Sequence, residues 1–133
     1  MKNNDAFNKI RLTESQNKIV ENDNYPIYVK AGAGTGKTEV LIQKILHILQ
    51  NDMEASLKNI VIISFTNKAT DEMQQRLSER LYQKSFEYYQ KGNKELSDKF
   101  KTEAYLANMS NISTIHTFCD GLIQKYGLCI GYC

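Results

Sequence analysis

The densest chemistry in the chain lies in eight consecutive residues, Ala31-Gly32-Ala33-Gly34-Thr35-Gly36-Lys37-Thr38. Glycines alternate with small residues, and a lysine and a hydroxyl close the run. Glycine lets the backbone take conformations that a Cβ forbids. Successive N–H groups in such a loop turn inward and make a cradle for an anion. A helix starting at the end of the loop adds the positive end of its dipole at the same point. Lys37 then offers a compact charge to β- and γ-phosphates, and Thr38 offers a hydroxyl to magnesium. The spacing is that of the pattern G-x-x-x-x-G-K-[ST], with Ala31 in the first position. The run therefore predicts a P-loop that holds ATP and Mg2+ through Ala31, Gly32, Ala33, Gly34, Thr35, Gly36, Lys37 and Thr38. The competing reading is a glycine-rich turn with no ligand, and Gly-Lys-Thr at its end argues against it.

Such a loop works between a strand and a helix, and the flanking sequence supplies both. Ile27-Tyr28-Val29 is a short β-prone run, read as a buried strand. After the loop, Val40, Leu41, Ile45, Ile48 and Leu49 recur at helical spacing, which predicts a helix from Lys37 to about Gln50. Upstream, Leu12 to Val20 reads as a helix, with Thr13 and Gln16 forming a capping-box pattern. Downstream, Ile60 to Phe65 is apolar and β-branched and reads as a second strand. Asn67 is a candidate cap for the next helix, whose Ala69, Met73 and Leu77 share a face at least through Leu81. Gly92 and Asn93 divide Tyr82 to Asn108 into two helices. Ile112 to Ile115 reads as a third strand, His116 to Tyr126 as a helix, and Gly127 as its stop. Alternation of this kind predicts an α/β fold with a parallel sheet and right-handed crossovers.

Bulk properties narrow the class. A chain of 133 residues makes one domain by length and has enough core to fold without staples. The formal charge of +2, from 17 basic and 15 acidic residues, does not by itself point to nucleic acid. The polar start Met1-Lys2-Asn3-Asn4-Asp5 is unlike a secretory signal, and the apolar run Ile60–Ile63 is far too short to span a membrane. Cys119, Cys129 and Cys133 form no disulfide framework and no Cys-x-x-Cys pair. They are read as small, partly buried thiols of a cytoplasmic protein.

Three further segments carry a family resemblance. Leu12-Thr13-Glu14-Ser15-Gln16 resembles the Q motif of UvrD/Rep/RecB-type superfamily 1 helicases, and Ala31–Thr38 resembles their motif I. Ser64-Phe65-Thr66-Asn67-Lys68-Ala69-Thr70-Asp71-Glu72-Met73 is similar to motif Ia, commonly TFTNKAAxEM. Thr114-Ile115-His116-Thr117-Phe118-Cys119 resembles the following DNA-contacting motif, TxHSFC. The four occur in family order from Leu12 to Tyr126. The organisation implied is the N-terminal part of a helicase ATP-binding domain over 1–133. Its parts are a Q motif at 12–20, P-loop at 31–38, motif Ia at 64–73, helical insertion at about 82–108 and Ib-like motif at 114–119. The implied fold is a partial RecA-like parallel sheet flanked by helices.

The resemblance also implies roles. Gln16 would bond the adenine edge, since its amide both donates and accepts. Lys37 and Thr38 would serve catalysis, with Thr38 on the metal. Phe65, Thr66 and Asn67 would lie along single-stranded DNA, where an aromatic ring stacks on any base. His116, Thr117 and Phe118 would add contacts to the strand. Plainer roles stand beside these: Gln16 as the capping partner of Thr13, Phe65 as core, Asn67 as a helix cap, His116 as a structural histidine. The tyrosines and lysines from Tyr82 to Tyr105 read as an amphipathic helix pair, because Glu87, Glu95, Asp98 and Glu103 interrupt them.

Two departures bear on the family reading. Many relatives carry Arg directly after the P-loop threonine, where this chain has Glu39. The spacing between the two DNA motifs is long, which is similar to the AddA/RecB helicase–nuclease branch. No DExx segment follows a later apolar strand, and no second RecA-like domain with an arginine finger is present. The expectation is thus the N-terminal piece of an ATP-dependent DNA helicase of repair or recombination, not an active motor alone. Its partners would be single-stranded DNA, the C-terminal remainder of the helicase and a nuclease domain or subunit, with no membrane. The alternative is a non-catalytic nucleotide- or DNA-binding module.

Overall fold

The computed structural model describes residues 11–34, 36–109 and 111–131. The chain forms two compact units, Met1–His47 and Ile48–Cys133. In the first unit, α1 spans Glu14–Glu21. Thr13 caps it with both arms of the capping box in place, its side chain accepting from Gln16 N at 3.2 Å while Gln16 Oε1 accepts from Thr13 N at 2.8 Å. Helix α2, Lys37–Asn51, starts directly after the glycine loop and ends beyond the unit boundary. Val40, Ile42, Ile45 and Leu46 are buried along it, as the apolar spacing requires.

One element differs from expectation. Ile27–Val29 forms no strand, and Tyr28 is 90% exposed. Apolar, β-branched composition favours an extended backbone, but a strand exists only where a neighbour completes its ladder. Among the described residues no such ladder forms at 27–29.

The second unit holds the sheet. After a 3-10 turn at Leu57–Asn59, strand β1 (Val61–Ser64) pairs in parallel with β2 (Asn111–Thr114). Parallel neighbours need a long crossover, and here it is a helical hairpin: α3, Asn67–Gln90, then α4, Lys94–Ala107. Gly92, at φ +75°, makes the turn, and Asn93 caps α4 by accepting from Leu96 N. Helix α3 is continuous through 24 residues, so the first half of the expected insertion prolongs the helix that begins at Asn67.

Leu77, Leu81, Phe100, Ala104 and Ala107 are fully buried and form the α3–α4 seam. Polar groups inside it are paired: Ser85 Oγ donates to Ser97 O at 2.8 Å, and Gln74 Nε2 donates to Ala107 O at 3.1 Å. Buried Glu103 accepts from Leu57 N at 2.7 Å, fixing α4 to the turn that leads into β1. Helix α5, Ile115–Tyr126, follows β2 without a break and ends at Gly127. Cys119 and Cys129 are exposed, contrary to the partly buried reading: α5 buries none of its residues, and Cys129 lies in the 3-10 turn Gly127–Ile130 that follows it; Cys133 lies outside the described residues. Among the described residues no helix is long and apolar enough to cross a membrane.

Candidate functional site

Two groups of expected site residues come together, one in each unit. In the first unit the chain passes from Ala31 through the glycines into α2. Gly34 and Gly36 have φ of +73° and +80°, the left-handed region that favours glycine. Gly36 O accepts the first bond of α2, from Val40 N at 3.0 Å. The first amides of α2 therefore open onto the loop, with the positive end of the helix dipole behind them. Lys37 Nζ bridges the loop by donating to Ala31 O at 3.2 Å, and both Lys37 and Thr38 are exposed. Gly32 and Ala33 are exposed as well, while Thr35 lies outside the described residues.

Helix α1 reaches the same place. A Cβ built on Gly36 would stand 3.3 Å from Gln16 Nε2, so the Gln16 amide lies against the loop. The capping box holds that amide by its oxygen, and its nitrogen faces Gly36. The plainer role of Gln16 and its placement beside the loop are thus compatible. A cleft of about 670 Å³ opens alongside, with Gln16, Lys37 and Lys44 among its polar lining and Ile19, Val29 and Leu41 among its apolar lining. Its mixture of apolar wall and a few convergent polar groups is that of a small-molecule site. Glu39 does not line the cleft; it accepts from Gln43 Nε2 at 2.8 Å, one turn along α2.

In the second unit the strand register does the positioning. Ser64 is paired with Thr114, the last residue of each strand. Parallel neighbours lie about 4.8 Å apart, so the chain leaves both strands at one edge, side by side. The segments 65–67 and 115–118 both start there. Phe65 is 92% exposed and is not core. Thr66, rather than Asn67, caps α3, its Oγ1 accepting from Ala69 N at 3.1 Å. β1 ends at Ser64, which leaves Thr66 as the last extended residue and puts Asn67 in the first turn. Hydroxyls brace this corner: Ser64 Oγ and Thr70 Oγ1 are hydrogen-bonded at 2.6 Å, one donating to the other, and the accepting hydroxyl donates in turn to Thr66 O, which is 3.1 Å from both. Thr114 repeats the device on α5, accepting from Thr117 N at 3.3 Å, with the Thr117 hydroxyl 3.1 Å away.

His116 is exposed and Phe118 half-buried. Two helix N-termini, an exposed ring and an imidazole thus share one edge of the sheet, beyond the carboxyl ends of its strands. That arrangement suits phosphate and stacked bases. Sequence reasoning missed Thr114 as the cap and Ser64 with Thr70 as the brace. The signal was available, since Thr114 and Thr117 stand three apart at a strand end.

Residues 12–132 match the family model described as UvrD/REP helicase N-terminal domain, and the chain belongs to that family. It is similar to an ATP-dependent helicase/nuclease subunit of Clostridium kluyveri, at 39% identity over 86% of this chain and 9% of the relative. The counterpart in Natranaerobius thermophilus is 33% identical over 87% of this chain and 9% of its own length. That of Ligilactobacillus salivarius is 30% identical over 90% and 9%. The chain spans about 9% of the length of these curated relatives.

Proposed function

We propose that this UvrD/REP-family chain supplies one wall of the ATP cleft, and part of the DNA track, of an ATP-dependent helicase that moves on single-stranded DNA in repair or recombination. The observation that carries the reading is the convergence of Gln16, Gly36 and Lys37 on one loop at the N-terminus of α2. In this reading Ala31 to Thr38, with Thr35, surround the phosphates. Lys37 exchanges its Ala31 carbonyl for phosphate oxygens and neutralises charge as it builds during transfer. Gln16 offers its amide to the adenine edge.

Magnesium fits what is present. Thr38 is exposed and its hydroxyl is a hard oxygen donor. This ion characteristically takes one or two protein ligands plus phosphates and water. When bound, it would draw charge from the phosphate oxygens. Phe65 stacks on a base, while Thr66, Asn67, His116, Thr117 and Phe118 line the strand's path. Support for the track comes from the shared edge at Ser64 and Thr114.

The name these relatives bear joins helicase to nuclease, and a nuclease domain or subunit is proposed as partner to the longer protein. The test is a titration with a fluorescent ATP analogue and Mg2+, comparing wild type with Lys37→Ala. Lys37 is exposed, so its loss should leave folding within about 0.5 kcal/mol while abolishing binding. Equal binding by the two proteins would refute the phosphate site.

A further inference from the structure

Lys44 lines the cleft beside the glycine loop but has no part in the phosphate and adenine contacts proposed above, and it is only 8% exposed. Its ammonium has three protons, and three acceptors take them: Val20 O at 2.9 Å, Asn22 O at 2.7 Å and Asp23 Oδ1 at 3.2 Å. The first two are carbonyls at the C-terminal end of α1, where orphan acceptors and the negative end of the dipole favour a cation. The Tyr25 ring lies 5.5 Å from the same nitrogen.

Lys44 stands seven residues after Lys37, two helical turns or about 10.5 Å along α2. Gln16 precedes Val20 by one turn of α1. Lys44 thus ties the C-terminus of α1 to α2, while at the other end of α1 the Gln16 amide lies against Gly36. An eight-residue helix is too short to hold itself in water. Its position is set by what grips it.

We infer that Lys44 is a positioning residue for base recognition. It clamps the C-terminal end of α1 and so holds Gln16 at the distance from the loop where its amide reads adenine. The inference rests on the adenine role proposed above for Gln16.

The experiment titrates the full chain with ATP, GTP and inorganic tripolyphosphate, each with Mg2+. It compares wild type, Gln16→Ala, Lys44→Met, Lys44→Arg and the Gln16/Lys44 double variant. Wild type should prefer ATP to GTP. Lys44→Met should reduce that preference by roughly 2- to 12-fold, the range of one hydrogen bond, and tripolyphosphate affinity should hold. Lys44→Arg, which keeps charge and donors, should retain the preference, and the double variant should be no worse than Gln16→Ala. Should Lys44→Met lose helix content by circular dichroism, Lys44→Gln, which removes the charge and shortens the arm so that the α1 carbonyls are no longer gripped, carries the same comparison.

An unchanged ATP/GTP ratio in Lys44→Met, beside a lost ratio in Gln16→Ala, overturns the inference alone. Equal losses for ATP and tripolyphosphate reduce Lys44 to a fold role and overturn it too. A wild type that does not distinguish ATP from GTP removes the adenine reading itself, and the inference with it.

Discussion

Gly34 and Gly36 are a matched pair of perturbation sites. Both have left-handed backbones, at +73° and +80°. Alanine at either therefore loses about 1–2 kcal/mol to the steric penalty of that region. They differ in what the new methyl meets. At Gly34 nothing stands within 4 Å, whereas at Gly36 the methyl would face Gln16 Nε2 at 3.3 Å. The amide must give way, and its oxygen is the acceptor that completes the capping box at Thr13 N.

The shift required is a few tenths of an ångström, so the added cost is at most the worth of that hydrogen bond, about 0.5–1.5 kcal/mol. Gly36→Ala should thus be the less stable variant by up to that margin, read as a lower urea midpoint. Binding should separate them further. Loop strain weakens every phosphate ligand in both variants, but only Gly36→Ala moves the amide proposed to read adenine. Its ATP-to-GTP preference should fall by about 2- to 12-fold, since 1.4 kcal/mol is a factor of ten, while Gly34→Ala keeps the wild-type ratio. Identical ratios in the two variants would refute the argument that Gln16 acts through its contact with the loop.

Phe65 is 92% exposed, so Phe65→Ala should change stability by less than about 0.5 kcal/mol. The same variant should weaken single-stranded DNA binding by about 1–3 kcal/mol, the worth of one stacked base; fluorescence anisotropy with an oligonucleotide checks both the size and the sign. Phe100 is fully buried, and Phe100→Ala should cost about 3–5 kcal/mol in a urea melt. Glu103→Leu leaves the Leu57 N–H without its acceptor, which predicts a loss of about 1–3 kcal/mol. Burial of the Tyr88 phenol, with Glu87 adding its charge, raises that group above its ordinary value. The native chain then keeps a proton that the unfolded chain releases, so this contribution is full below about pH 10 and is lost as pH rises through the folded value. Tyr88→Phe should flatten the alkaline fall in the urea midpoint.

Local signals were legible in the sequence, and non-local ones were not. The cap at Thr13, the break at Gly92 and the stop at Gly127 lie within a few residues of the elements they bound, and each is found where expected. The strand at 27–29 depended on a ladder partner remote in sequence, so composition at Ile27, Tyr28 and Val29 did not decide it. Thr66 and Asn67 are both good caps, and the choice between them turned on where β1 stopped. Phe65 ended an apolar run and was ambiguous until the corner after Ser64 turned it outward. Lys44 belongs to no motif of the sequence. Its only signal is position, since 37, 41, 44 and 48 fall on one helical stripe beside the buried Ile45.

The long spacing between the two strand-edge motifs bears on whether they act together. In an irregular loop, added residues would loosen the approach of 65–67 to 115–118. Here they are folded into a hairpin that delivers the chain to the start of the neighbouring strand. α3 leaves the edge at Thr66, α4 comes back antiparallel, and β2 re-enters the sheet with Asn111 opposite Val61. The return is fixed at two places: Glu103 on Leu57 N, and Asn111 Nδ2 on Lys58 O at 3.3 Å. These bonds tie α4 and the first residue of β2 to the segment just before β1, and so support the register in which Thr114 stands beside Ser64. Hairpin length is then free to vary without moving the motifs, provided those two bonds survive. Changes at Glu103 and Asn111 should therefore disturb the register more than changes at the tip near Gly92. Lengthening that turn should leave single-stranded DNA binding intact, while Glu103→Leu combined with Asn111→Ala should weaken it together with the fold of the edge.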